Sequence, residues 1–231
     1  MATHSKGLHA MRVGYGDDAL NEGDLEGAPL AQFSSWLDDA IAAHLPEPNA
    51  MVLGTTDGAV PSVRTVLLKA ADTRGFAFYT NLRSRKGRDL DTVPAASAVF
   101  PWFAMSRQVI VSGPVVAVPR DETAEYFVSR PRGSRLGAWA SRQSEVIEGR
   151  EPLDAAYGEL ESRWPEPEDI PLPDHWGGFL ICPTSVEFWQ GRASRLHDRL
   201  RFVRDSAPLT LDSGGARLDD DSLWRIERLS P

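Results

Sequence analysis

From Pro29 onward apolar residues recur at helical spacing: Leu30, Phe33, Trp36, Leu37, Ile41 and Leu45 share one stripe, and Pro46 and Pro48 follow. This pattern predicts an amphipathic helix over 29–45, with a sheet to cover its apolar face. Beyond it the period shortens. MVLGTT after Ala50, VPSVRTVLLKA over 60–70 and FAFYTN over 76–81 are β-rich runs, separated by Asp57-Gly58 and by the turn residues 72–75. Such runs predict antiparallel strands. A short helix over 84–91, strands over 95–100 and 107–118, and helices over 121–129 and 153–164 come next. Pro165, Pro167, Pro171 and Pro173 stiffen the connection to closing strands around 178–189, 200–204 and 223–229. The expected fold is mainly β with flanking helices, its six or more antiparallel strands curled into a barrel. Residues 1–28 lack periodicity and predict a flexible N-terminal arm to one domain over 29–231, in which 205–222 (DSAPLTLDSGGARLDDDS) reads as a surface insertion.

Composition narrows the function classes. The chain has 231 residues, 42% of them hydrophobic, enough for one substantial core. With 25 Lys and Arg against 33 Asp and Glu, the net charge of -8 argues against a nonspecific nucleic-acid binder, so any anion site must be local. The single Cys182 cannot form an internal disulfide, and MATHSKGLHAMRV lacks the apolar stretch of a signal peptide; both fit a reducing cytoplasm. The most apolar stretch, 95–105, is broken by Pro101 and is too short to cross a bilayer. No GxGxxG follows a strand, and GxxxxGK[ST], HExxH and GxSxG are all missing. Rossmann, P-loop, zinc and simple hydrolase chemistries therefore lack support, and no metal is expected.

Three clusters carry candidate chemistry. In the first, Arg64 and Lys69 bracket an apolar run, and Ser84, Arg85 and Lys86 open a short helix whose free N–H groups suit a phosphate. Arg64 and Lys69 are an odd number of residues apart, so they either serve two anions on opposite faces or flank a bulge. In the second, Tyr126 and Arg130 share a face if the helix continues, with Ser134 just beyond Pro131. In the third, Arg195, His197 and Arg199 alternate after the aromatic pair Phe188 and Trp189, and would point to one face of an extended strand. Each has an ordinary alternative: solvent-facing strand charges, helix surface packing, or a basic strip offset by Glu187 and Asp198.

Taken together, RTVLLK (64–69), FYTN (78–81), SRKG (84–87), FPW (100–102), RQV (107–109), YFxSRPRxSxxGAWxSxQS (126–144), WGGF (176–179), EFWQG (187–191) and RLHDR (195–199) resemble, in order, the pyridoxamine 5′-phosphate oxidase family. The final RIERLSP is similar to the family's ending. The resemblance implies an FMN-binding split β-barrel and a homodimer with FMN between the subunits. It places Arg64, Thr65, Val66, Leu67, Leu68, Lys69, Tyr79, Thr80, Arg85, Lys86, Gln108, Gln143, Ser144, Trp189 and Arg199 at the FMN. It further implies that Lys69, Tyr126, Arg130 and Ser134 hold a substrate phosphate, and that Arg195 and His197 act at the pyridine ring as catalytic residues. Arg12 and Tyr15, in MRVGY, resemble an arm that closes over the ligand. The implied reaction is oxidation of pyridoxamine or pyridoxine 5′-phosphate by O2 to pyridoxal 5′-phosphate, releasing hydrogen peroxide and, from the amine, ammonia. Two rivals stand beside it: an FMN oxidase of the same fold acting on a phenazine-type precursor, and a non-catalytic flavin or pyridoxal-phosphate binding protein.

Overall fold

The computed structural model describes residues 7, 10, 11, 14–16, 18–204 and 215–231. Among them ten strands form one antiparallel sheet: β1 (Ala50–Thr56), β2 (Pro61–Leu67), β3 (Ala70–Asp72), β4 (Gly75–Asn81), β5 (Ala95–Trp102), β6 (Arg107–Ala117), β7 (Trp176–Ile181), β8 (Ser185–Gln190), β9 (Asp198–Val203) and β10 (Arg225–Arg228). One path runs β10-β9-β8-β6-β5-β1-β2; β6 also pairs with β7, β7 with β4, and β4 with β3. The long strand β6 belongs to both halves. Arg107 to Ser112 face β8, whereas Val115 to Ala117 face β7, so the strand changes partner at Gly113-Pro114. A Cβ on Gly113 would lie 2.4 Å from the Cys182 carbonyl oxygen, a closeness only glycine permits. The curled sheet encloses the core as a split barrel.

Inward positions alternate as a half-buried strand requires. Met51 and Leu53 of β1, Ala98 and Phe100 of β5, Val109 and Val111 of β6, and Val186 and Phe188 of β8 meet in one cluster. Helix α1 (Pro29–Ala42) caps it, with the Phe33 ring 4.9 Å from Phe76 and 5.0 Å from Phe100. It is shorter than the expected 29–45. His44 takes a left-handed φ of 54°, which removes Leu45 from the helix, and Ile41 is exposed. A second, smaller cluster of Phe127, Leu136, Ile170 and Trp176 joins α3 (Arg120–Ser129), α4 (Arg132–Ala140) and α5 (Glu151–Arg163) to the barrel wall.

Several expectations are corrected. The run 60–70 is two strands. Leu68 N–H still donates to Asn49 O at 2.9 Å beside β1, while Lys69 N–H donates to Ala77 O at 2.8 Å in β4, so the chain crosses between sheet halves there. The run 178–189 likewise divides, at Cys182 to Thr184. Within 205–222, residues 205–214 lie outside the described residues, but Ala216 and Leu218 are wholly buried rather than superficial. Their N–H groups donate to Arg74 O at 2.9 Å and Thr73 O at 2.8 Å. Part of the expected arm is also packed, since Leu20 is buried in the main core.

Helix α2 (Arg85–Thr92) starts at Ser84, whose Oγ accepts from Gly87 N–H at 3.3 Å. Ser84→Ala is expected to lower stability by about 1 kcal/mol, the usual worth of an N-cap, readable as a shift in the denaturation midpoint. An unchanged midpoint would remove the cap from the account.

Candidate active site

A concavity of about 1120 Å³ lies between β2, the start of α2, and the turn from α3 to α4. Its walls include Arg64, Thr65, Val66, Leu67, Lys69, Tyr79, Thr80, Arg85, Lys86, Tyr126, Arg130, Ser134, Gln143 and Ser144, all anticipated from the sequence. Ser62, Asn81, Ser129, Ser141 and Trp176 line it as well. The break at Leu68 explains why Arg64 and Lys69 share one cavity despite their odd spacing. The Leu68 side chain itself is buried in the core.

Local hydrogen bonds build the floor. Asn81 Nδ2 donates to Ser141 O at 3.2 Å and Thr80 Oγ1 to Gln143 Oε1 at 3.0 Å, which holds 141–144 against the end of β4. The main-chain N–H of Arg85 donates to Ser144 Oγ at 3.1 Å. Gly87 allows α2 to start here, because a Cβ would meet Leu82 O at 2.0 Å. Next to it Lys86 is buried, its Nζ donating to Thr80 Oγ1 and Gln143 Oε1, both at 3.0 Å. No carboxylate pairs with Lys86 among the described residues. Burial, helped by repulsion from Arg64, pushes its pKa down to about 8. Arg64 is compensated differently: its Nη1 donates to Thr55 Oγ1 at 2.6 Å, its Nη2 to Ser62 Oγ, and Asp89 lies 3.7 Å away.

The opposite wall is aromatic. Tyr79, Tyr126 and Trp176 are stacked, with centroids 4.2 Å apart for the tyrosines and 5.5 Å for Tyr79 with Trp176. Burial holds the Tyr79 phenol above its usual range, so it stays protonated and can donate. The Arg130 guanidinium lies 4.5 Å over the Trp176 ring. Its Nη1 is buried without a hydrogen-bond partner, and desolvation lowers its pKa. A guanidinium nitrogen so placed awaits an acceptor. Tyr126 and Arg130 do not share a continuing helix. Arg130 precedes Pro131, which disfavours helical backbone, so α3 stops at Ser129 and Arg130 is extended at φ -72°, ψ 147°. Both still reach the cavity.

The remaining candidates form a second group that does not line this cavity. Tyr15 packs edge-on against Trp189 and His197, at 5.8 Å and 5.2 Å, and Trp189 lies 4.6 Å from His197. Gln108 faces Trp189 across β6 and β8. Arg195, His197 and Arg199 do not share an extended strand. Arg195 is exposed with a left-handed φ of 64°, His197 precedes β9, and only Arg199 lies within it. Arg199 pairs with Glu187 through Nε at 2.7 Å and Nη2 at 3.1 Å. Arg12 lies outside the described residues. The sequence reading assigned no role to Trp176, although it opens the WGGF motif.

Residues 37–162 match the family model described as pyridoxamine 5′-phosphate oxidase, and residues 176–231 match the pyridoxine 5′-phosphate oxidase C-terminal dimerisation region. The chain is 51% identical over 227 residues to a pyridoxine/pyridoxamine 5′-phosphate oxidase from Streptomyces avermitilis, covering 96% of this chain and 95% of the relative. It is 49% identical over 223 residues to the protein of that name from Kineococcus radiotolerans, covering 95% and 97%. Among solved structures, PhzG from Burkholderia lata, in complex with tetrahydrophenazine-1-carboxylic acid, aligns with a TM-score of 0.80 at 29% identity, covering 93% of this chain and 99% of that one. A pyridoxamine 5′-phosphate oxidase-related, FMN binding protein from Nostoc punctiforme aligns at a TM-score of 0.64 and 16% identity, over 93% and 100%, and shows the fold alone.

Proposed function

Because the chain belongs to the pyridoxamine 5′-phosphate oxidase family, we propose that it oxidises pyridoxamine and pyridoxine 5′-phosphates to pyridoxal 5′-phosphate, using FMN and O2, in a site completed by a second copy of the chain. The observation that carries this reading is a pair of cations in one cavity, the buried Lys86 without a carboxylate and the half-buried Arg130, whose Nη1 is buried without a partner. Their immediate neighbours differ, hydroxyl and amide groups for one and aromatic rings for the other. Two anion points in one cavity suit two phosphorylated aromatic molecules.

The residues present fit a flavin phosphate. Lys86, Arg85, Thr80 and Ser144 offer cationic and hydrogen-bonding groups around the start of α2, and Gln143 adds an amide. When bound, FMN supplies the two-electron acceptor that no side chain here provides, and O2 carries the electrons away as hydrogen peroxide. Arg130, Lys69, Ser134 and the Tyr126 phenol hold the substrate phosphate, which fixes the position of the attached ring. The stacked rings exclude water from that end of the cavity. Arg195, a permanent cation, and His197 act at the pyridine ring.

A dimer accounts for the division of the candidates into two groups. The second group lies in or beside the region that matches the family's dimerisation segment. Strand β2, which lines the cavity, is at the edge of the sheet with Val60 and Val63 exposed. Mixing Arg130→Met protomers with His197→Ala protomers, each strongly impaired alone at low substrate concentration, is expected to raise activity there well above that of either variant, since one site per hybrid dimer would then be intact. No recovery in demonstrably hybrid dimers would place all these residues in one subunit's site.

Retention of Tyr126, Arg130 and Ser134 favours a phosphorylated substrate over the phenazine class suggested by PhzG. The test is an aerobic assay of peroxide and aldehyde. Turnover of pyridoxine 5′-phosphate with little turnover of unphosphorylated pyridoxine supports the reading; oxidation of a reduced phenazine precursor instead overturns it. The free, buried Cys182 fits the reducing cytoplasm that we infer as its location.

A further inference from the structure

Asp198 opens β9 with its side chain only 9% exposed. Its Oδ2 accepts from Leu20 N–H at 3.1 Å and from Arg192 Nη1 at 3.2 Å, and its Oδ1 accepts from Arg228 Nη1 at 2.8 Å. Arg228 also donates to Leu20 O at 3.1 Å and pairs with Glu22 at 2.7 Å. One carboxylate therefore ties together the N-terminal segment, the loop after β8 and the last strand. That loop holds two consecutive residues in the left-handed region, Ser194 at φ 58° and Arg195 at φ 64°, a backbone that persists only where its surroundings enforce it.

Arg192 has a second role. Its main-chain N–H donates to His197 Nδ1 at 3.1 Å. An imidazole nitrogen that accepts a hydrogen bond carries no proton, so the neutral ring bears its hydrogen on Nε2. Tyr15 and Trp189 pack against the same ring and restrict its rotation.

We propose that Asp198 and Arg192 are positioning residues that hold His197 as the Nε2–H tautomer, so that His197 meets the substrate as a hydrogen-bond donor and not as a proton acceptor at Nε2. The inference rests on the reading above that His197 faces the substrate. It predicts that His197 recognises an acceptor atom on the substrate ring and that proton removal falls to another group or to water. It also gives the arm and the C-terminal strand a part in the geometry of the site, through Asp198.

The test is 15N-histidine NMR on the flavin-loaded dimer, with His197 assigned by the signal lost in His197→Gln. The expected result is a single His197 tautomer with Nε2 protonated and Nδ1 bare. Arg192→Ala, at a partly exposed position, and Asp198→Asn are expected to yield a mixture of tautomers, and kcat/KM to fall about tenfold, the scale of one lost hydrogen bond. Arg192→Lys is expected to retain the single tautomer. His197→Gln, which keeps an N–H donor, is expected to outperform His197→Ala. A protonated Nδ1 in the unaltered protein, or a single unchanged tautomer in both Arg192→Ala and Asp198→Asn, would overturn the proposal. An unaltered protein inert towards both vitamin phosphates would overturn the functional reading while the tautomer measurement still decided the positioning claim.

Discussion

Arg130→Met is expected to lower kcat/KM for pyridoxine 5′-phosphate by roughly 100-fold, because a charge-assisted contact of about 1.5–3 kcal/mol corresponds to one or two factors of ten. The loss should appear mainly in KM. Methionine keeps the unbranched apolar stem while removing the guanidinium that lies over Trp176, and with it the charge and the orphaned Nη1. FMN content should be unaffected, because Lys86 and its hydroxyl neighbours are untouched. Arg130→Lys should recover only part of the loss, since an ammonium cannot reproduce the planar fork of a guanidinium. An unchanged KM in Arg130→Met, measured by steady-state kinetics, would remove the substrate phosphate from this end of the cavity.

Lys86→Met is the complementary case. FMN affinity, measured by fluorescence titration, is expected to fall about 10- to 100-fold at pH 7 through loss of one buried charge-assisted contact. The pH dependence follows from the direction of the shift. Burial lowers the Lys86 pKa to about 8 in the flavin-free protein, and a bound phosphate favours the charged form and raises it again. Affinity should therefore be nearly constant between about pH 7, above the second ionisation of the phosphate, and pH 8, and decline above that by up to about tenfold per pH unit until the pKa of the complex is passed. Lys86→Met should abolish that decline. A variant that keeps both the affinity and the slope of the unaltered protein would show that Lys86 does not meet the flavin phosphate.

The strands, α1 and most of the cavity wall were legible in the sequence, because period-2 and period-3.6 patterns report which face of an element is buried. Four features were missed or misread. The crossing between Leu68 and Lys69 depends on which neighbour each N–H finds, and a continuous apolar run carries no sign of it. The end of α3 was available in principle, since Pro131 follows Arg130, yet the four-residue spacing of Tyr126 and Arg130 suggested a helix through both. Helix α4 is short and contains Gly133 and Gly137, which disfavour helix, and the sequence left that stretch without an element; its place is set by contacts such as Trp139 Nε1 to Pro171 O at 2.7 Å. Nor does alternation describe Arg195 to Arg199. The left-handed backbone at Ser194 and Arg195 turns the loop before β9 begins, and Asp198, read from the sequence only as offsetting a basic strip, accepts from Arg192 and ties down the loop.

The central claim is that one cavity holds two phosphorylated aromatic rings, the electron carrier and its substrate. Anaerobic titration of the purified protein with pyridoxine 5′-phosphate, followed by visible absorbance, tests it most directly. The account predicts a yellow protein whose flavin band bleaches on addition of substrate and returns when air is admitted. A protein that cannot be loaded with FMN, or a flavin band that the vitamin phosphates leave unchanged, would contradict it.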